Sequence, residues 1–168
     1  MGVHCHCKML RFIFTLLILH PAIINAEEIK MLCKGDRNSN FIYGKEVNVT
    51  NFESVLLKIK NDSMEYIGFN SGRIYFFSNR EYSAPKRPPH EDINIKEQYQ
   101  YTPNKITASL AITDTGDTDE SSISLFSLDI NLLTGKLIET ESISNKKTNM
   151  KTMSNNFQAL CKREDSSY

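Results

Sequence analysis

Residues 105–113 alternate without a break: Ile106, Ala108, Leu110 and Ile112 fall on one side, and Thr107, Ser109 and Ala111 on the other. Only an extended chain, with a side-chain period of two, collects those apolar groups on one face; a helix would scatter them around a cylinder. The same alternation sets Ile93, Ile95, Tyr99 and Tyr101 against Asn94, Lys96, Gln98 and Gln100. Further runs of strand character cover 29–33, 46–50, 54–60, 63–69, 73–78, 122–130, 136–144 and 157–162. Within 122–130 the apolar phase moves from Ile123 and Leu125 to Phe126, Leu128 and Ile130, which predicts a β-bulge. No stretch of a dozen residues in these runs repeats with a helical period, and 145–156, whose only apolar pair is Met150 and Met153, reads as a polar loop.

Short turn signals separate the runs. Lys60-Asn61-Asp62-Ser63, Asn70-Ser71-Gly72-Arg73 and Leu133-Thr134-Gly135-Lys136 supply Asn, Asp or Gly where a positive φ is wanted. Many short strands at hairpin spacing make the chain all-β: a single antiparallel meander of about eight to ten strands, forming a barrel or sandwich.

The first 26 residues differ from the rest. Lys8 and Arg11 precede the apolar run 12–19, then come Pro21 and Ala26, the order of a secretory signal peptide: basic end, apolar stretch, helix breaker, small residue at the cut. The run is too short for a stable membrane span, which argues against an uncleaved anchor. Met9 could itself open that leader, so it is a second candidate start. The leader would contribute a signal helix and leave 27–168 as a single β-rich domain.

Removal of the leader changes the arithmetic. The 168 residues carry 20 basic and 20 acidic groups; losing Lys8 and Arg11 leaves a mildly acidic domain, no partner for nucleic-acid phosphates. His4-Cys5-His6-Cys7 offers soft donors, but adjacent ligands in a short segment close a tetrahedral metal site poorly. Cys33 and Cys161 remain, one near each end of the domain. In an oxidising compartment they form a disulfide that ties the first strand to the last and stabilises by roughly 4–5 kcal/mol on the chain-entropy account. A free catalytic thiol would need a histidine, and the domain has only His90.

His90 lies in the stiff segment 83–92, among Pro85, Pro88, Pro89, Lys86, Arg87, Glu91 and Asp92. A hydrolase would pair it with a serine and one of those acids, yet no Gly-x-Ser-x-Gly elbow exists to present the serine. Asp114, Asp117, Asp119 and Glu120 form a weak calcium candidate, oxygen ligands lacking the EF-hand spacing. No cofactor is expected. The aromatic residues Tyr66, Phe69, Tyr75, Phe77, Tyr99 and Tyr101 either fill a strand core or line a surface for an apolar ligand or protein partner. Residues 73–78 are apolar on both faces, as in a central strand or one whose second face meets a partner. Asn48-Val49-Thr50 and Asn61-Asp62-Ser63 match glycosylation acceptors.

The stretch Leu128-Asp129-Ile130-Asn131, then Thr134-Gly135-Lys136-Leu137 and Cys161-Lys162, together with the leader and Cys33, resembles small uncharacterised secreted or periplasmic proteins of Gram-negative bacteria. The resemblance implies a β-rich domain outside the cytoplasm with no membrane span after cleavage, and it carries no catalytic residues. The expected function is a secreted or periplasmic, non-enzymatic binding module whose specificity the sequence leaves open, a small apolar ligand being one candidate. A protein-interaction, inhibitor or envelope accessory protein is the alternative, and a hydrolase centred on His90 the third.

Overall fold

The structure is a computed structural model and describes residues 28–42, 45–84, 93–114 and 121–164. The segments 1–27, 85–92 and 115–120 lie outside the described residues, and with them the leader, His4 to Cys7, Met9, His90, Asp117, Asp119 and Glu120. Ten strands follow one another: β1 (Ile29–Ile42), β2 (Lys45–Ile59), β3 (Met64–Gly68), β4 (Ile74–Phe77), β5 (Arg80–Ala84), β6 (Ile93–Tyr101), β7 (Lys105–Asp114), β8 (Ser122–Asn131), β9 (Lys136–Asn145) and β10 (Lys151–Arg163). They form one antiparallel sheet in the order β4-β3-β2-β1-β10-β9-β8-β7-β6-β5, curled into a half-barrel.

Alternation drives this arrangement. Along β2, Val55, Leu57 and Ile59 turn inward and are buried, while Leu56 and Lys58 turn outward. The inner face collects Met31, Cys33, Met64, Tyr66, Phe77, Ile106, Phe126, Leu128, Ile130, Leu137 and Phe157 into one core. Curling brings edge strand β4 across this core toward β6 and β7.

The two edge strands, β4 and β5, are joined through Ser78 and Asn79. Glu97 on β6 holds that seam: Ser78 Oγ donates to its Oε2 at 2.7 Å, and Arg80 Nε lies 3.3 Å from the same oxygen. Asn79 Oδ1 accepts from the Tyr99 backbone N–H at 2.9 Å, and the Tyr99 hydroxyl donates to the Lys60 carbonyl at 2.6 Å. These bonds let a sheet with free edges keep its curl.

Cys33 and Cys161 form the expected disulfide across β1 and β10, 128 positions apart in sequence. Their Cα atoms are register partners. The Cys161 N–H bonds to the Gly135 carbonyl on the β9 side. Since the N–H and C=O of a strand residue point the same way, the cysteines occupy a non-hydrogen-bonded pair, where side chains approach closest. Gly135, at φ +70°, makes that contact possible: a Cβ there would meet the Cys161 carbonyl oxygen at 2.4 Å.

Several expectations need correction. The runs 46–50 and 54–60 are one strand, β2, because Asn51-Phe52-Glu53 continues to pair with β1. Strand β5 carries no strand signal in the sequence; it has one neighbour, and its exposed, polar composition hides the alternation. The bulge expected in 122–130 is absent, since β8 pairs with β7 and β9 without a register shift. Ile123 and Leu125 instead lie on the outer face, where Leu125 stays exposed, so two apolar faces imitated a slipped phase. The irregularities fall at Ser39/Phe41 in β1 and Lys151/Met153 in β10. The loop expected over 145–156 ends early: a turn with Asn149 at φ 59° leads into β10 at Lys151. Pairing on both sides, with β1 and β9, overrides the polar composition there.

Candidate functional site

Above the apolar core the inner face becomes charged. Arg37 on β1, Glu53 on β2 and Glu139 and Glu141 on β9 all occupy inward positions and are buried. Arg37, Phe157 and Glu139 lie in one register row across β1, β10 and β9. The guanidinium passes over the Phe157 ring, 4.9 Å from its centroid, to reach Glu139, with Nη1 to Oε1 at 2.5 Å and Nη2 to Oε2 at 3.3 Å. Tyr66 completes the triad: Arg37 Nη2 donates to its hydroxyl at 2.8 Å, and the hydroxyl donates to Glu139 Oε2 at 2.6 Å. Glu53 Oε2 lies 3.5 Å from Arg37 Nε, and its Oε1 accepts from the Asn70 backbone N–H at 2.9 Å.

A second group continues the first. Glu141 is held by Arg73, by the Tyr75 hydroxyl at 3.1 Å and by Asn155 Nδ2 at 2.9 Å. Tyr66 and Tyr75 are register partners on β3 and β4. Burial alone would lower the Arg37 pKa, but hydrogen bonding to and the charge of Glu139, with Tyr66, outweigh it and hold the guanidinium more firmly protonated than usual. Burial first and the Glu139 charge second push the Tyr66 phenol well above its ordinary value. Burial and Glu141 push Tyr75 up to about 12.

Every carboxylate in this cluster is engaged by a cation, phenol or amide N–H. The chemistry this arrangement supports is cross-strand bracing. The signal was present in the sequence: Arg37 is in phase with Cys33, Glu53 with Val55, and Glu139 and Glu141 with Leu137. A charge in an inward phase reads, in sequence, only as a break in the apolar pattern.

The aromatic candidates divide. Tyr66, Tyr75 and Phe77 pack inward with Phe126, ring centroids 4.7 to 6.0 Å apart. Tyr99 is buried at the seam, Tyr101 is half-buried against the core, and Phe69 is exposed in the β3–β4 turn. The calcium candidates are not brought together among the described residues: Asp114 accepts from the Ser122 N–H at 2.8 Å and its hydroxyl at 3.2 Å, while its acidic companions lie outside them. No cluster of three or more metal-ligating side chains occurs among the described residues. Asn48 is exposed on β2, and Asn61 in the β2–β3 turn.

The outer face carries a feature that the sequence indicated only at β4. Leu32, Leu56, Ile67 and Ile74 are successive register partners across β1, β2, β3 and β4, and all four point outward. Ile74 is 69% exposed, and Phe76, beside it on β4, 49%. The two-faced strand expected at 73–78 is therefore an edge strand, with Tyr75 and Phe77 inside and Ile74 and Phe76 outside.

No helix among the described residues is long and apolar enough to cross a membrane. The chain matches no family model, no curated protein and no solved structure.

Proposed function

We propose that the protein is a secreted or periplasmic, non-enzymatic binding module that docks a protein partner on the outer face of β1–β4. The observation that carries this reading is the apolar row Leu32–Leu56–Ile67–Ile74, half-buried in its first three members and exposed at Ile74, extended by exposed Phe76. Contiguous apolar surface left facing water marks an interaction face more often than it occurs idly. The Cys33–Cys161 bridge fits an oxidising compartment, as do the leader-like residues 1–26. The small-apolar-ligand reading has less support, because a ligand inside the curl would have to part the packed rings of Tyr66, Tyr75, Phe77 and Phe126.

A photo-crosslinking residue placed at Ile74 tests the proposal in the native envelope. One recurrent partner should be trapped, and Phe76→Asp should abolish the adduct while the far-ultraviolet β signature of the fold is kept. Diffuse labelling that Phe76→Asp leaves unchanged overturns it.

A further inference from the structure

Elsewhere on the outer face the character of the surface reverses. Gln98, Ser109, Ser127, Thr140, Asn156, Asn38 and Thr50 are successive register partners through β6, β7, β8, β9, β10, β1 and β2. This row of seven amides and hydroxyls holds neither a charge nor an apolar side chain. At about 4.8 Å per strand it runs on the order of 29 Å. The flanking rows do not share its character: one passes through Asp129, Ile138, Asp36 and Phe52, the other through Lys96 and Leu125. An exposed sheet face kept soluble in the ordinary way carries interspersed charges.

A second observation falls on the same place. A shallow groove of about 540 Å³ lies over β6–β8, lined by outward Gln98, Gln100, Thr107, Ser109, Ser127 and Asp129 and, at the seam, by Asn79. Tyr99, Ala108 and Leu128 turn their side chains inward, so their backbone floors it. Short Thr107, Ser109 and Ser127 make the depression, and the longer glutamines and Asp129 wall it. Ser109 Oγ donates to Gln98 Oε1 at 3.3 Å, which leaves the amide N–H groups of Gln98 free to donate outward. Farther along the row, Ser127 and Thr140 hydrogen-bond to each other at 2.7 Å and Thr50 donates to Asn38 Oδ1 at 2.6 Å, so each pair keeps part of its bonding capacity for a ligand.

From this geometry we infer a binding site for a neutral oligosaccharide, seated in the β6–β8 groove and extending along the row. Amides and hydroxyls both donate and accept, as sugar hydroxyls require, and the groove's one carboxylate, Asp129, is already neutralised by Lys105 Nζ at 2.5 Å, so the lining as a whole suits a ligand with many hydroxyls and no charge. The site is separate from the apolar row and does not depend on the proposed protein partner.

Titration of the disulfide-bonded protein with maltohexaose, cellohexaose and chitohexaose, followed by amide NMR shifts, tests it. At least one should give saturable changes at millimolar concentrations, confined to β6–β8 and the adjoining row. Replacing both Gln98 and Gln100 by Ala should weaken that binding roughly tenfold while thermal stability is unchanged, and Ile74→Asp should leave it intact. Absence of saturable change with all three sugars overturns the inference, as do shifts centred elsewhere or affinity indifferent to the glutamine substitutions.

Discussion

Arg37 and Glu139 form a buried ion pair across a strand that belongs to neither of them: β10 runs between β1 and β9, and the guanidinium bridges over Phe157 to make the contact. The carboxylate is completely shielded from water. In such a place a charge costs several kcal/mol to desolvate, and the partner offsets that cost only while it is present. Glu139→Ala or Arg37→Ala should therefore lower unfolding stability by roughly 3–5 kcal/mol. Replacing the pair together, Arg37→Met with Glu139→Leu, should recover part of the loss, the remainder reflecting Glu53 and the Tyr66 hydroxyl, which lose their contacts to the pair. Urea unfolding midpoints of the three variants decide the point, and a double variant as unstable as the singles would refute it.

High pH should unfold the protein through its phenols. Tyr75 has its pKa raised to about 12 from an unfolded value near 10, and Tyr66 and Tyr99 are raised in the same direction by burial. The folded state then holds protons that the unfolded state has released. The stability these groups contribute is fully present below about pH 10 and falls as pH rises toward 12. Stability measured across that window should decline together with a cooperative rise in phenolate absorbance. Tyr75→Phe should make the decline shallower.

Reduction should weaken the molecule without dismantling its pattern. The disulfide closes a loop of 128 positions, and its loss should cost about 2–5 kcal/mol. Hydrogen bonding between β1 and β10 does not depend on it, so far-ultraviolet circular dichroism should keep its β signature in mild reductant while the denaturation midpoint drops. Cys33→Ala with Cys161→Ala should behave the same way and lose all sensitivity to reductant.

Two glycines with nearly the same backbone separate strain from collision. Gly72 and Gly135 have φ +67° and +70°, but a Cβ on Gly72 meets nothing within 4 Å, whereas one on Gly135 runs into the Cys161 carbonyl. Gly72→Ala should cost about 1 kcal/mol. Gly135→Ala should cost distinctly more, since β9 and β10 must move apart as well. Equal thermal shifts for the two would show that the close approach does not matter.

The all-β class, the hairpin turns and the β1–β10 bridge were all legible in the sequence, because alternation and turn chemistry are local signals. The bracing cluster was not. Recognising Arg37 and Glu139, 102 positions apart, as partners requires knowing that the chain between them folds back to set β1 two strands from β9. Strand β5 was hidden because it has one neighbour, and the strand character of 151–156 because its stability comes from the strands on both sides. The apolar outer row was visible as a two-faced pattern only at 73–78. Its continuation through Ile67, Leu56 and Leu32 depends on register, which no single strand encodes.

The seam has a consequence for how the chain reaches this state. Glu164 donates its N–H to the Lys30 carbonyl, so the ends of the described sheet touch, while its two edges are joined through Ser78 and Asn79. Every strand pairing except β1–β10 is between sequence neighbours. The structure is a circle of hairpins, and β1–β10 is the single contact whose loop-closure entropy must be met across nearly the full length. A circular permutant that links residues 28 and 164 and opens between 78 and 79 would turn that contact into one more hairpin. Every pairing would then be local, and the permutant should refold faster than the natural order while keeping the same neighbours.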